Sequence, residues 1–163
     1  MELDSFAPDN PVVLFTDYYQ SLAQDDFPDW SRFDLSDVPS AVVPYIALGD
    51  AVFSDDWAPL PDHFVYSLEG AGVRELIGRS MVGDKVGYVM RQRSRNSLLQ
   101  EIAEALQSPR IIASTAELDL VDRPRLSFAR GLFLFKSSAG LIERLVLILY
   151  KMPDHRHSAL RRL

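Results

Sequence analysis

Apolar positions recur along this chain with two different periods. Val12, Phe15, Tyr19 and Leu22 fall at helical spacing behind Asn10-Pro11, a cap residue followed by proline at the first helical position. They predict an amphipathic helix of about four turns. His63 to Glu69 alternates instead, with Phe64, Tyr66 and Leu68 on one side and His63, Val65, Ser67 and Glu69 on the other. That pattern predicts a half-buried strand. Tyr45 to Phe53 reads as the strand before it, joined through the polar, proline-containing turn SDDWAPLPD. Residues 71–90 carry short helical pieces punctuated by Gly72, Gly78, Gly83 and Gly87. A longer helix follows from about Arg91 to Gln107, with Leu98, Leu99, Ile102, Ala105 and Leu106 as its stripe and Pro109 as its stop.

The remainder is β. Arg110 to Val121, Arg125 to Lys136 and Leu141 to Met152 are strands, separated by Asp122-Arg123-Pro124 and by Ser137-Ser138-Ala139-Gly140. LVLILY, Leu145 to Tyr150, lacks alternation and belongs to a central strand covered on both faces. The order of elements predicts an α+β protein. Its five-stranded antiparallel sheet has a helical crossover between strands 2 and 3 on one face and the N-terminal helix on the other. Three parts follow: residues 1–43 as helix and acidic wrapping segment, 44–152 as the core, and 153–163 as a basic tail. The wrapping segment uses Trp30 and Phe33 as anchors or contains a short helix, because long structureless loops are rare in compact domains.

A chain of 163 residues fits one domain. LVLILY is too short to cross a bilayer, and no basic stretch precedes an apolar leader, so the expected location is the cytoplasm, with no membrane association. There is no cysteine. That excludes disulfides, thiolate metal sites, cysteine nucleophiles and any flavin photochemistry that needs a cysteinyl adduct. The net charge of −6 is uneven: residues 1–62 hold thirteen acidic side chains against one basic, and residues 63–163 hold ten against sixteen. Two readings compete: an acidic layer attracted to the basic remainder, or, more weakly, a basic face kept for an acidic partner. The basic residues are not interleaved with stacking aromatics, so nucleic-acid binding is not expected.

The stretch FVYSLEGAGVRELIG has the strand–glycine–helix order of a dinucleotide-binding turn. Gly70 and Gly72 fit the first two glycines, but the third position is Glu75, an anion where a pyrophosphate would lie. No Gly-Lys-Ser/Thr phosphate loop occurs either. The glycines are read instead as letting the chain leave the second strand sharply. Residues 71–108 contain no histidine to ligate haem, which argues against that cofactor; His63 lies on a strand edge, and His155 and His157 in the tail. Non-covalent flavin stays open. Asp25-Asp26 and Asp55-Asp56 sit in turns and carry little metal specificity, so no metal site is assigned. Glu117 and Asp119 share a strand face and read as ion-pair partners of Arg125 and Arg130.

Taken together, FPDWSRFD, VVPYIALGDAVF, HFVYSLEGAGVRELIGRSMVG and RGLFLFKSSAGLIERLVLIL resemble the PAS-like domains, in particular a bacterial group of short stand-alone ones. The resemblance covers roughly Phe27 to Met152. It departs at Ser67, where arginine is frequent in that group, and at Ala71, where threonine is, so a ligand pocket here would differ. The resemblance implies a sensory or signalling module without catalysis of its own. It implies an apolar pocket between sheet and helices for a small ligand or cofactor, and dimerisation through an N-terminal helix. Pocket candidates are Tyr66, Leu68, Val73, Leu76, Ile77, Met81, Val86, Phe128, Phe133 and Leu147. Val12, Phe15, Tyr18, Tyr19 and Leu22 form the candidate surface for a second copy or a signalling partner. Two alternatives stand beside this: a pure dimerisation or adaptor module with a filled pocket, and a bent-sheet cone enzyme of the isomerase or dehydratase kind. The cone enzyme needs an Asp or His in an apolar cavity, and such folds place most helices before the sheet.

Overall fold

The computed structural model describes residues 3–22, 26–107, 111–120 and 125–153. The elements are α1 (Pro11–Leu22), β1 (Ile46–Val52), β2 (His63–Glu69), α2 (Ala71–Ile77), α3 (Gln92–Gln107), β3 (Ile112–Leu118), β4 (Leu126–Lys136) and β5 (Ile142–Lys151). Short 3-10 turns occupy Leu3–Ser5, Trp30–Arg32, Leu35–Asp37 and Val43–Tyr45. The strands form one antiparallel sheet in the order β2-β1-β5-β4-β3, with α2 and α3 in the crossover, as the element order predicts. The helix stop at Pro109, the turn at Asp122-Arg123-Pro124 and the tail histidines lie outside the described residues.

β5 is the middle strand, and Leu145 to Leu149 are all buried, as an unbroken apolar run requires. The two faces of the sheet bury separate cores. On one, Ala47, Phe64, Tyr66, Phe128, Leu132, Leu134 and Leu147 meet Val73, Ile77, Met81 and Leu98 from the crossover. On the other, Ile46, Ala129, Phe133, Phe135, Val146 and Ile148 meet Val12, Phe15 and Tyr19 of α1. Asn10 starts α1 by accepting the Val12 N–H on its side-chain oxygen at 2.9 Å. The Tyr19 hydroxyl donates to the Leu134 carbonyl at 2.7 Å and ties the helix to the sheet.

The segment before β1 wraps the α1 side. Trp30 stacks on Phe33 at 4.6 Å and meets the edge of Phe135 at 5.3 Å. Lys136 reaches Asp26 at 3.0 Å and Arg144 reaches Asp50 at 3.2 Å, so two ion pairs join the acidic part of the chain to the basic part.

β2 does not alternate throughout. Leu48 pairs with Leu68 while Gly49 pairs with Tyr66, so Ser67 is an extra residue, a bulge. Leu68 therefore turns outward and is 43% exposed, whereas the Glu69 side chain is 1% exposed. The Glu69 carboxylate accepts the Met81 N–H at 2.9 Å and the Arg74 Nε–H at 3.2 Å, which holds the shifted register.

Gly70 and Gly72 are needed for close approach and not for a left-handed turn, since Gly70 has φ −75°. A Cβ on Gly70 would lie 2.6 Å from both the Pro44 carbonyl carbon and the Val43 carbonyl oxygen. One on Gly72 would lie 2.7 Å from the Tyr45 ring. The space a pyrophosphate would need at the start of α2 is thus taken by the chain's own backbone. Gly70→Ala is expected to cost about 3 kcal/mol, because the obstacle is main chain and cannot swing away. A urea midpoint equal to wild type would contradict this placement.

Candidate functional site

Tyr66, Val73, Leu76, Ile77, Met81, Val86, Phe128 and Leu147 lie in one buried cluster between the sheet and the crossover. Leu68 is not among them, because the Ser67 bulge turns it away. Phe133 is not either. It is an odd number of residues from Phe128 on an unbroken strand, so it points to the opposite face and packs 4.6 Å from the Phe15 ring. The α1 stripe also departs from its expected use. Val12, Phe15 and Tyr19 are buried on the chain's own sheet. The Tyr18 hydroxyl bonds the Asp34 main chain, donating at 3.3 Å and accepting at 3.0 Å, and Leu22 is partly buried. A second copy meeting this stripe would have to displace the sheet from it.

The polar centre of the crossover face is Arg130, 1% exposed in the middle of β4. Of its neighbours on that face, Leu132 is apolar and Phe128 offers its ring 5.8 Å from the guanidinium carbon, so the opposite charge must come from α3. Nε donates to Oε2 of Glu101 at 3.0 Å, Nη2 lies 2.9 Å from the same oxygen as an ion pair, and Nη2 donates to the Ser97 hydroxyl at 3.5 Å. Nη1 makes no hydrogen bond among the described residues. Directly across the register stands Ser114. Its hydroxyl is buried without a hydrogen-bond partner among the described residues. Burial pushes the Tyr66 phenol well above its ordinary range, with the nearby Arg130 charge and the Gly87 backbone N–H opposing. Ser114 therefore places unspent hydrogen-bonding capacity beside the Arg130 guanidinium.

Pairing Arg130 with Glu117 or Asp119 is thus corrected. Glu117 pairs with Arg125 at 3.1 Å, and Asp119 lies 3.5 Å from Arg91 and 4.0 Å from Arg125. The partner of Arg130 comes from α3, where Ser97 and Glu101 stand four residues apart on one helix face. A cleft of about 300 Å³ between α3 and β3 runs to Arg130, with Arg93, Ser97, Glu101, Thr115 and Arg125 also on its walls. Ser94 closes one end, its hydroxyl donating to the Glu117 carbonyl at 3.1 Å and accepting the Asp119 N–H at 3.3 Å. Such a volume is at the lower end of ligand sites and suits a small metabolite. It does not suit a flavin nucleotide, and the absence of cysteine rules out adduct chemistry at any flavin.

A second polar feature borders this face. Burial raises the proton affinity of Glu69, but the Met81 N–H, the Ser80 hydroxyl and the Arg74 guanidinium outweigh it and hold the carboxyl below its usual value. A carboxyl depressed by folding stabilises the fold above its unfolded pKa, and that contribution is lost as pH falls through the folded pKa. The stability gap between wild type and Glu69→Gln is therefore expected to narrow as pH drops below the ordinary glutamate range. Urea titrations at several pH values measure it, and a gap constant with pH would contradict the assignment.

Sheet order, the helical crossover covering one face and α1 covering the other together define a PAS-like fold. Among solved structures the chain is similar to the dark structure of the blue-light photoreceptor Aureochrome1 LOV, with 15% identity and TM-score 0.54, covering 85% of this chain and 95% of that one. It is similar to a fungal LOV domain photoreceptor at 10% identity and TM-score 0.52, covering 86% and 91%. It is also similar to a LOV protein of Rhodobacter sphaeroides at 11% identity and TM-score 0.52, covering 69% and 62%. At these identities the likeness is one of fold. No protein-family model and no curated protein matches the sequence. Among the described residues, no helix is long and apolar enough to cross a membrane.

Proposed function

We propose that this chain is a bacterial, cytoplasmic sensory or signalling module that lacks catalysis of its own and binds a small molecule on the crossover face of its sheet. The observation that carries this reading is Arg130, buried on that face where the α3–β3 cleft reaches it, with the unpartnered Ser114 hydroxyl across the register. Buried polar groups are ordinarily satisfied, and a core built only for stability would replace these with apolar side chains. The fold agrees with this: two of the solved structures similar to it are LOV photoreceptors. Signal output then requires a partner, either a second copy or a signalling protein. That partner would use surfaces other than the buried stripe of α1.

The tight burial of Val73, Met81, Phe128 and Leu147 supports a second reading, an adaptor with a filled interior. Native mass spectrometry with an absorbance spectrum of freshly purified protein separates the two. A bound metabolite supports sensing; a mass equal to the bare chain and a colourless sample favour the adaptor.

A further inference from the structure

We propose that the α3–β3 cleft binds a small carboxylate on Arg130, in competition with Glu101, so that occupancy loosens α3 from the sheet. This rests on reading the crossover face as a ligand site and names the ligand class that the site takes. Three observations carry it. The first is donor surplus. Arg130 is a buried cation that reaches the cleft and whose Nη1 makes no hydrogen bond among the described residues, and Ser114 stands opposite it with an unpartnered hydroxyl. A ligand that satisfies such a set must bring acceptors, and a carboxylate brings two oxygens matched to a guanidinium.

The second observation is the kind of partner Arg130 already has. Glu101 is met through Oε2, which accepts from Nε and lies at ion-pair distance from Nη2. This single-oxygen contact leaves out the two-oxygen fork that a guanidinium favours. The Glu101 side chain is 18% exposed, so it has a path to water if a better acceptor replaces it. The third is access. The cleft of about 300 Å³ opens at α3, and its walls hold Arg93 and Arg125 as well as Arg130. Acids line it too, but Glu117 is matched to Arg125, and Asp119 to Arg91 and Arg125. Exchange at Arg130 would be felt by α3, because the Glu101 and Ser97 contacts tie the middle of that helix to β4. Ser94 would keep its first turn fixed to β3.

The test uses benzoate and succinate against their neutral amides, benzamide and succinamide, by isothermal titration with the whole chain. Wild type, Glu101→Gln and Arg130→Met are compared, each first shown to be folded by circular dichroism. Saturable binding of at least one carboxylate, ten-fold or more tighter than its amide, is expected. Glu101→Gln, which removes the competing charge, is expected to bind it at least five-fold tighter, and Arg130→Met to lose the preference. Hydrogen exchange supplies a readout independent of affinity: amides in the second half of α3 are expected to lose protection on saturation. Equal binding of acid and amide overturns the proposal, as does weaker or unchanged binding to Glu101→Gln. Absence of any binding overturns it too. If a neutral metabolite co-purifies while no carboxylate binds, this inference fails and the sensor reading survives; an empty protein that binds nothing sinks both.

Discussion

Glu101→Ala is expected to destabilise the protein by about 3 kcal/mol, the order found when one partner of a buried ion pair is removed. For a chain of this size that lowers the melting temperature by roughly 6–12 °C. The cost arises because Arg130, 1% exposed, keeps its charge with no carboxylate to meet it. Arg130→Met is expected to cost less, since Glu101 is 18% exposed and can turn to water. The double variant Glu101→Leu/Arg130→Met should recover most of the loss, as apolar replacements of whole buried pairs often do. Urea unfolding of the three variants measures the cycle. A larger loss for Arg130→Met than for Glu101→Ala would mean that the guanidinium matters mainly as packed volume.

Phe15→Ala is expected to cost about 4 kcal/mol, typical for truncating a fully buried phenylalanine. Phe15 is fully buried, with its ring 4.6 Å from Phe133, so the loss falls on the monomer's own core. The wild-type melting temperature should then be independent of protein concentration, and the variant's should be lower at every concentration. If α1 instead served chiefly to join two copies, Phe15→Ala would leave the monomer's stability intact. It would shift only the mass measured in solution.

Strand number, crossover position and the two-sided burial of β5 are legible in the chain because each follows from a period or a run. LVLILY cannot sit on a half-exposed strand, and the Asn10-Pro11 start places α1 before any strand. The face of Phe133 was legible as well: parity along an unbroken strand separates it from Phe128. Leu68 was not, because its orientation depends on a bulge held by the Glu69 contacts to Met81 and Arg74, which lie across the crossover. Gly70 and Gly72 announce a close approach, but only the fold shows that Pro44 and Tyr45 are what approaches. Arg130 carried a usable signal. It stands at even spacing between Phe128 and Leu132 inside a run that must be buried, so it demands a partner. Glu117 and Asp119 are nearer in sequence than Glu101, and sequence distance favoured the wrong carboxylate.

On the proposed reading, the crossover face of the sheet senses a ligand while the α1 face is structural. Amide hydrogen exchange on the purified protein, before and after bound material is stripped by unfolding and refolding, tests it most directly. The account predicts changed protection in α3, β3 and the middle of β4, with α1 and its contacts on β5 unchanged. Identical exchange before and after stripping, or a change confined to α1, would contradict it.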